Sequence, residues 1–261
     1  MTDQPRSIEL EVEVEGTPEE VWRAIATGPG ITSWYVPHTI EERTGGDASA
    51  SFGPGMDVPG RVVEFDRPNR FVLAGVEGES PGLAFEWTIE AKSGGTCVVR
   101  LVNSGFGQGG EWDDHFDSMT EGWRMFLLNL QLHLAHFGGQ SATAMLPMAA
   151  WAGPPADAWA RLTGDLGLPS APAVGDRVAV TGAGVPELAG EVVEVTPTRM
   201  SLLVDSPAPG TAFVAAEGSE DAEVAQVSTW CYLYGDEGAA AVARDESAWR
   251  SWFDARAVDA G

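Results

Sequence analysis

Basic residues are scarce in this chain: 15 Lys and Arg stand against 39 Asp and Glu, a formal charge of −24 over 261 residues. So negative a surface repels phosphate backbones and anionic lipid, which argues against nucleic acid and membrane surfaces as partners. Cysteine is scarcer still. Cys97 and Cys231 are the only two, too few for a disulfide scaffold or a cysteine-rich metal site, and they read as thiols of a reducing cytoplasm. No apolar run approaches the roughly 20 residues of a membrane helix. Residues 1–10 are polar and lack the apolar centre of a signal peptide. What is present is a hydrophobic share of 44% with ten tryptophans, which excludes a mainly disordered chain. The expectation is an acidic, cytoplasmic, globular protein of one large or two small domains.

The first segment alternates. Ile8, Leu10, Val12 and Val14 fall on one face and Glu9, Glu11, Glu13 and Glu15 on the other, the signature of a half-buried antiparallel strand. Thr17-Pro18-Glu19-Glu20 then writes a helix start: a capping Thr, a Pro at the first helical position, and a Glu three residues after the cap. Val21, Trp22 and Ile25 supply its apolar stripe, and Gly28-Pro29-Gly30 is expected to end it. A second short helix is predicted over 31–35. Short strands with Gly/Pro/Asn turns between them are predicted over 39–43, 48–52, 60–66, 70–76, 83–91 and 96–104, the spacing of an antiparallel meander.

The strongest helix follows over 111–137. Trp112, Phe116, Met119, Trp123, Phe126, Leu130, Leu134 and Phe137 step by three or four and trace a single stripe. The expected fold class is α+β: a curved antiparallel sheet wrapped on this long helix over 7–138, with a cavity between them. Residues 139–153, small and apolar, read as a linker. Beyond them the chain echoes itself. Residues 155–162 resemble 18–25; Gly175-Asp176 resembles Gly46-Asp47; Gly190-Glu191-Val192-Val193 resembles Gly60-Arg61-Val62-Val63; Arg199-Met200 resembles Arg70-Phe71; and Trp249-Arg250 resembles Trp123-Arg124. The order is kept, so 154–258 is expected to be a shortened, degenerate second copy. It shows no clear first strand, and its last helix, predicted over 245–258, is about half the length of the first.

Residues 12–25, the segment Ile31-Thr32-Ser33-Trp34-Tyr35, Gly60-Arg61-Val62-Val63-Glu64 with Pro68-Asn69-Arg70-Phe71, Phe85-Glu86-Trp87 and Gly122-Trp123 together resemble the START-like (SRPBCC, helix-grip) superfamily. Within it they are most similar to the bacterial branch related to the C-terminal domain of the activator of heat-shock protein 90 ATPase. The resemblance covers residues 7–137. It implies a helix-grip fold with a hydrophobic cavity for a small or lipid-like molecule. Some members are polyketide cyclases, including didomain aromatase/cyclases. The family shares no catalytic residue set, so none is carried over.

Candidate ligand-binding residues are the aromatic and Met positions expected to converge on the gap between sheet and helix: Trp34, Phe52, Phe71, Phe85, Trp87, Trp112, Phe116, Met119 and Trp123. No nucleophile motif appears. His115 is the best-placed titrating group if proton transfer occurs. His133 and His136 sit one helical turn apart, but zinc wants three or four ligands, so no metal or other cofactor is expected. Glu111, Asp113, Asp114 and Asp117 suit the positive end of the helix dipole. Residues 105–110 are glycine-rich but lack the Lys-Ser/Thr of a phosphate loop. The expected function is non-catalytic binding of a small hydrophobic or aromatic molecule. A polyketide cyclase/dehydratase and a protein-interaction or chaperone-accessory module are the alternatives, and a homodimer is compatible with each.

Overall fold

The alternation at the N-terminus is realised as β1 (Arg6–Glu15), with Ile8 and Val14 buried and Glu9, Glu11, Glu13 and Glu15 outward. The computed structural model describes residues 6–53, 55–76, 82–107, 110–169 and 171–258, with backbone alone over 110–115. Helix α1 (Pro18–Ala26) opens on the anticipated capping box: the Glu20 amide donates to the Thr17 hydroxyl and the Thr17 amide to the Glu20 carboxylate. Gly28-Pro29-Gly30 does not simply stop it. These residues begin α2 (Gly28–Thr32), capped by Thr27, whose Oγ1 accepts from the Gly30 amide at 3.1 Å. A Cβ at Gly30 would lie 1.9 Å from the Arg23 carbonyl, so only glycine lets α2 turn this tightly on the end of α1. Trp34 and Tyr35 therefore lie in the turn after α2 rather than within a helix over 31–35.

Six strands follow: β2 (His38–Ile40), β3 (Asp47–Ser51), β4 (Asp57–Asp66), β5 (Arg70–Gly75), β6 (Ala84–Ala91) and β7 (Thr96–Phe106). The sheet runs β1-β7-β6-β5-β4-β3-β2 and every pairing is antiparallel. The first strand thus lies beside the last, with Leu10 opposite Leu101 and Val12 opposite Val99. Helix α3 (Gly110–Phe137) is 28 residues long, about 40 Å at ~1.5 Å per residue. It packs on β1 and α1 and buries Trp123, Phe126, Leu127, Leu130 and Leu134. The chain divides into two units, Met1–Ser141 and Ala142–Gly261.

The second unit contains β8 (Ala142–Met145), β9 (Met148–Ala152), α4 (Pro155–Leu166), β10 (Arg177–Ala179), β11 (Ala189–Thr196), β12 (Arg199–Ser206), β13 (Gly210–Glu217), β14 (Val224–Tyr234) and α5 (Gly235–Asp254). Its sheet runs β10-β11-β12-β13-β14-β8, and β9 also pairs with β14. Two expectations are corrected here. Residues 139–153 are not a linker: β8 and β9 form one edge strand, interrupted at Leu146-Pro147, antiparallel to β14, with Thr143 opposite Leu233 and Trp151 opposite Ala225. That is the counterpart of β1 beside β7, the first strand that the second copy was expected to lack. Alanine hid it. Ala149 and Trp151 are buried and Ala150 and Ala152 are not, so strand alternation exists without any polar/apolar contrast. The last helix begins ten residues earlier than 245, because Gly238, Ala241 and Val242 form the start of its buried face. Small residues carry little hydrophobic signal, so only the bulky end at Trp249, Trp252 and Phe253 was conspicuous.

The copy relation extends to the hydrogen bonds. In the first unit the Gly45 amide donates to the Val62 carbonyl at 2.8 Å, and in the second the Gly175 amide donates to Val192 at 2.8 Å. Both glycines have positive φ, 77° and 91°. The register slips between Val62 and Glu64 in β4 and between Val192 and Glu194 in β11, so each copy bulges at the same place. Beside each bulge an Arg on the next strand holds a carboxylate: Arg70 pairs with Glu64 and Glu86, and the buried Arg199 pairs with Glu194. The glycine that matches Gly175 is thus Gly45, one residue before the Gly46 that the sequence echo selects. The core of the second unit is built around Trp151, Trp249, Trp252 and Phe253. Among the described residues no helix is long and apolar enough to cross a membrane, and both cysteines are free and buried.

Candidate functional site

Between β3–β6 and the middle of α3, the first unit leaves a cavity of about 330 Å³. Its origin lies in residue size. The sheet side carries Ala48, Ala50, Gly60 and Gly75, which the register places on one face, where a filled core would carry branched side chains. On α3 the facing positions are Ser118, Met119, Gly122, Trp123 and Phe126, which form i,i+3 and i,i+4 pairs and so share one face. Gly122 makes the gap. Among the described residues a Cβ built on it meets nothing within 4 Å, so none of them requires a glycine there. In a helix interior glycine costs up to about 1 kcal/mol relative to alanine. The space in front of it is the cavity itself.

Large aromatic side chains form the walls. Trp123 is buried, stands 4.9 Å from Tyr35, 5.7 Å from Phe85 and 5.5 Å from Trp87, centroid to centroid, and donates from Nε1 to Asn103 Oδ1 at 3.2 Å. Tyr35 also contacts Phe126 at 4.4 Å and Phe52 at 6.3 Å. Leu73, Leu83 and Val58 complete the apolar lining. Of the residues predicted from sequence, Phe52, Phe85, Met119 and Trp123 line this space. Trp34, Phe71 and Trp87 do not, because the hydrophobic core absorbs them. Trp34 is fully buried with its Nε1 donating to the Ala24 carbonyl at 2.8 Å. Trp87 lies edge-on between Trp34 and Trp123. Phe71 packs with Trp22 and Phe65 under α1. Phe116 is half-buried against Phe106 and beneath the Arg6 guanidinium instead. The side chains of Trp112 and His115, like those of Glu111, Asp113 and Asp114 and the glycine-rich residues 108 and 109, lie outside the described residues.

Four polar lining residues were missed: Ser49 on β3, Ser118 on α3, and Tyr35 and His38, which follow α2. The His38 ring lies 5.4 Å from that of Tyr35, and its Nδ1 stands 2.7 Å from the Val36 carbonyl. A carbonyl only accepts, so Nδ1 carries the hydrogen and Nε2 keeps a free lone pair. Burial pushes the His38 imidazole down to about 4, against the opposing pull of the Val36 carbonyl, so the ring is neutral at pH 7. Burial also raises the Tyr35 phenol far above its ordinary value, so it too stays neutral. No lining residue described here is a carboxylate, Lys or Arg. His133, on α3, is buried and likewise held down to about 4 by desolvation, but it does not line the cavity. Among the described residues no group of three or more His, Cys, Asp or Glu is placed to hold a metal ion.

Residues 15–135 match the family model described as activator of Hsp90 ATPase homolog 1-like protein. No curated protein matches the chain by sequence. Solved structures similar to it include the protein MLL2253 from Mesorhizobium loti, 18% identical, covering 51% of this chain and 98% of that one at a TM-score of 0.45. The Aha1 dimer from Colwellia psychrerythraea is 18% identical over 49% of this chain and 96% of that one, TM-score 0.43. The di-domain ARO/CYC BexL from the BE-7585A biosynthetic pathway is 16% identical and is matched over 96% of this chain and 93% of its own, TM-score 0.46.

Proposed function

We propose that the N-terminal domain, which belongs through residues 15–135 to the activator of Hsp90 ATPase homolog 1-like family, binds one small apolar or aromatic molecule in the cavity between its sheet and α3, without transforming it. The observation that carries this reading is Gly122, a mid-helix glycine that none of the described neighbours demands and that lines the cavity. A volume of about 330 Å³ falls at the lower end of the roughly 300–1,000 Å³ of small-molecule pockets, so the ligand is on the scale of two fused rings. Its affinity comes from burial and aromatic contact.

Binding is favoured over turnover by the polar inventory. His38 is the one imidazole in the described lining, its Nδ1 is engaged by a backbone carbonyl rather than a carboxylate, and no carboxylate or thiol stands beside it. A base pushed down to about 4 is a weak proton acceptor at neutral pH. Titrating the intact protein with the neutral fluorophore N-phenyl-1-naphthylamine is expected to give saturable enhancement with one equivalent per chain. Enhancement that never saturates, or that saturates at several equivalents, contradicts a single built cavity.

A further inference from the structure

The polar rim of the cavity narrows what it accepts, an inference that rests on the binding reading above. Tyr35, in the stretch after α2, and His38, the first residue of β2, sit side by side in its lining. The Nδ1–H of His38 is committed to the Val36 carbonyl. That leaves Nε2 as an acceptor with no protein partner among the described residues. The Tyr35 hydroxyl likewise makes no hydrogen bond to them. The remaining lining is apolar apart from two serines, and the Ser49 hydroxyl is already engaged with Thr39 at 2.8 Å.

We infer that the ligand is an uncharged aromatic alcohol, a phenol, seated with its O–H donating to His38 Nε2 and its ring against Trp123 and Phe85. Chemistry disfavours charged head groups and a plain hydrocarbon. A carboxylate or phosphate needs a cation or several N–H donors, and the described lining offers neither; it would be desolvated against a neutral imidazole lone pair. An ammonium would meet no carboxylate to balance it. A plain hydrocarbon would fill the cavity but leave Nε2 unpaired inside it, which costs affinity relative to a molecule that donates there. A hydroxyl is the smallest neutral group that both donates to Nε2 and accepts strongly from Tyr35, through a single atom.

The test compares three probes of equal framework at neutral pH with the intact protein: 2-naphthol, 2-methoxynaphthalene and 2-naphthoate, each read by calorimetry. The expected order is 2-naphthol about tenfold tighter than 2-methoxynaphthalene, the scale of one hydrogen bond in a dry site, with 2-naphthoate weakest. His38→Phe is expected to erase the tenfold preference, so that 2-naphthol and 2-methoxynaphthalene bind alike. His38→Gln, whose side-chain carbonyl reaches the Nε2 position, keeps part of it and stands in should the Phe variant not fold. Equal binding of 2-naphthol and 2-methoxynaphthalene to the wild type, tighter binding of 2-naphthoate, or a preference that survives His38→Phe overturns the inference alone. Binding of none of the three overturns the cavity reading with it.

Discussion

Trp123→Ala is expected to cost the N-terminal domain about 3–5 kcal/mol, the range for truncating a buried tryptophan. Trp123 is 3% exposed and touches four aromatic rings, Tyr35, Phe85, Trp87 and Phe126. Its indole N–H is also the partner of Asn103 Oδ1. Asn103 is itself fully buried, with its amide donating to the Ala84 carbonyl at 3.1 Å. Removing the indole therefore enlarges the cavity and strands a buried carbonyl, and the two costs act together. Against a total stability of about 5–15 kcal/mol, the loss is large enough to threaten folding at ambient temperature. Trp123→Phe keeps most of the ring contact and loses the hydrogen bond, so its cost is smaller. Urea titrations followed by circular dichroism measure both. A loss below about 1 kcal/mol for Trp123→Ala contradicts the packing described, since surface substitutions fall within that range.

Acid is the second large perturbation. His38 and His133 are both held down to about 4 by burial, against an ordinary value of 6.5. Between pH 6.5 and about 4 the unfolded chain binds a proton at each that the folded chain does not. Stability is then complete above pH 6.5 and falls as the pH drops toward 4, by about 1.4 kcal/mol per pH unit for each histidine within the window. Glu20 and Glu86, whose values are lowered by hydrogen bonds from Thr17 and Arg70, lose their contribution only at lower pH, below the ordinary carboxylate value of 4.5. The histidines thus open the acid transition. In His133→Leu the stability measured from pH 7 to 4.5 should fall less steeply, by the share of one group. A wild-type curve that is flat over this interval contradicts neutral, buried histidines.

Much of the scaffold was legible because it is written in contrasts of polarity. The Glu/apolar alternation of β1, the Thr17–Glu20 capping box and the three- and four-residue steps of α3 each match an element in the structure. The repeat was legible too, since the glycines and the Arg–Glu pair beside each bulge leave traces in both copies. The cavity was half legible. Aromatic residues announce hydrophobic interior but not which side of it they occupy, so Trp34, Phe71 and Trp87 were indistinguishable from Phe52, Phe85 and Trp123 until the strands were paired. What opens the space is the small size of Ala48 and Ala50 and the missing side chain of Gly122, and a missing bulk carries no periodic signal. His38 stood outside any motif; its relevance comes from the α2 turn that brings it beside Tyr35. β8 and β9 were lost for a related reason, alanine occupying both faces of the strand.

If Gly122 keeps the cavity open for a ligand, Gly122→Leu should close it. Among the described residues the new side chain meets no backbone or side chain within 4 Å at its Cβ, so it extends into the open space. Stability is expected to rise by about 0.5–1 kcal/mol from helix propensity and cavity filling. Affinity for N-phenyl-1-naphthylamine should meanwhile fall at least about tenfold, because the side chain occupies the volume that the ligand needs. Loss of binding in a protein that is more stable than the wild type is the predicted result; undiminished binding in a folded Gly122→Leu protein contradicts the account, because the ligand would then sit elsewhere.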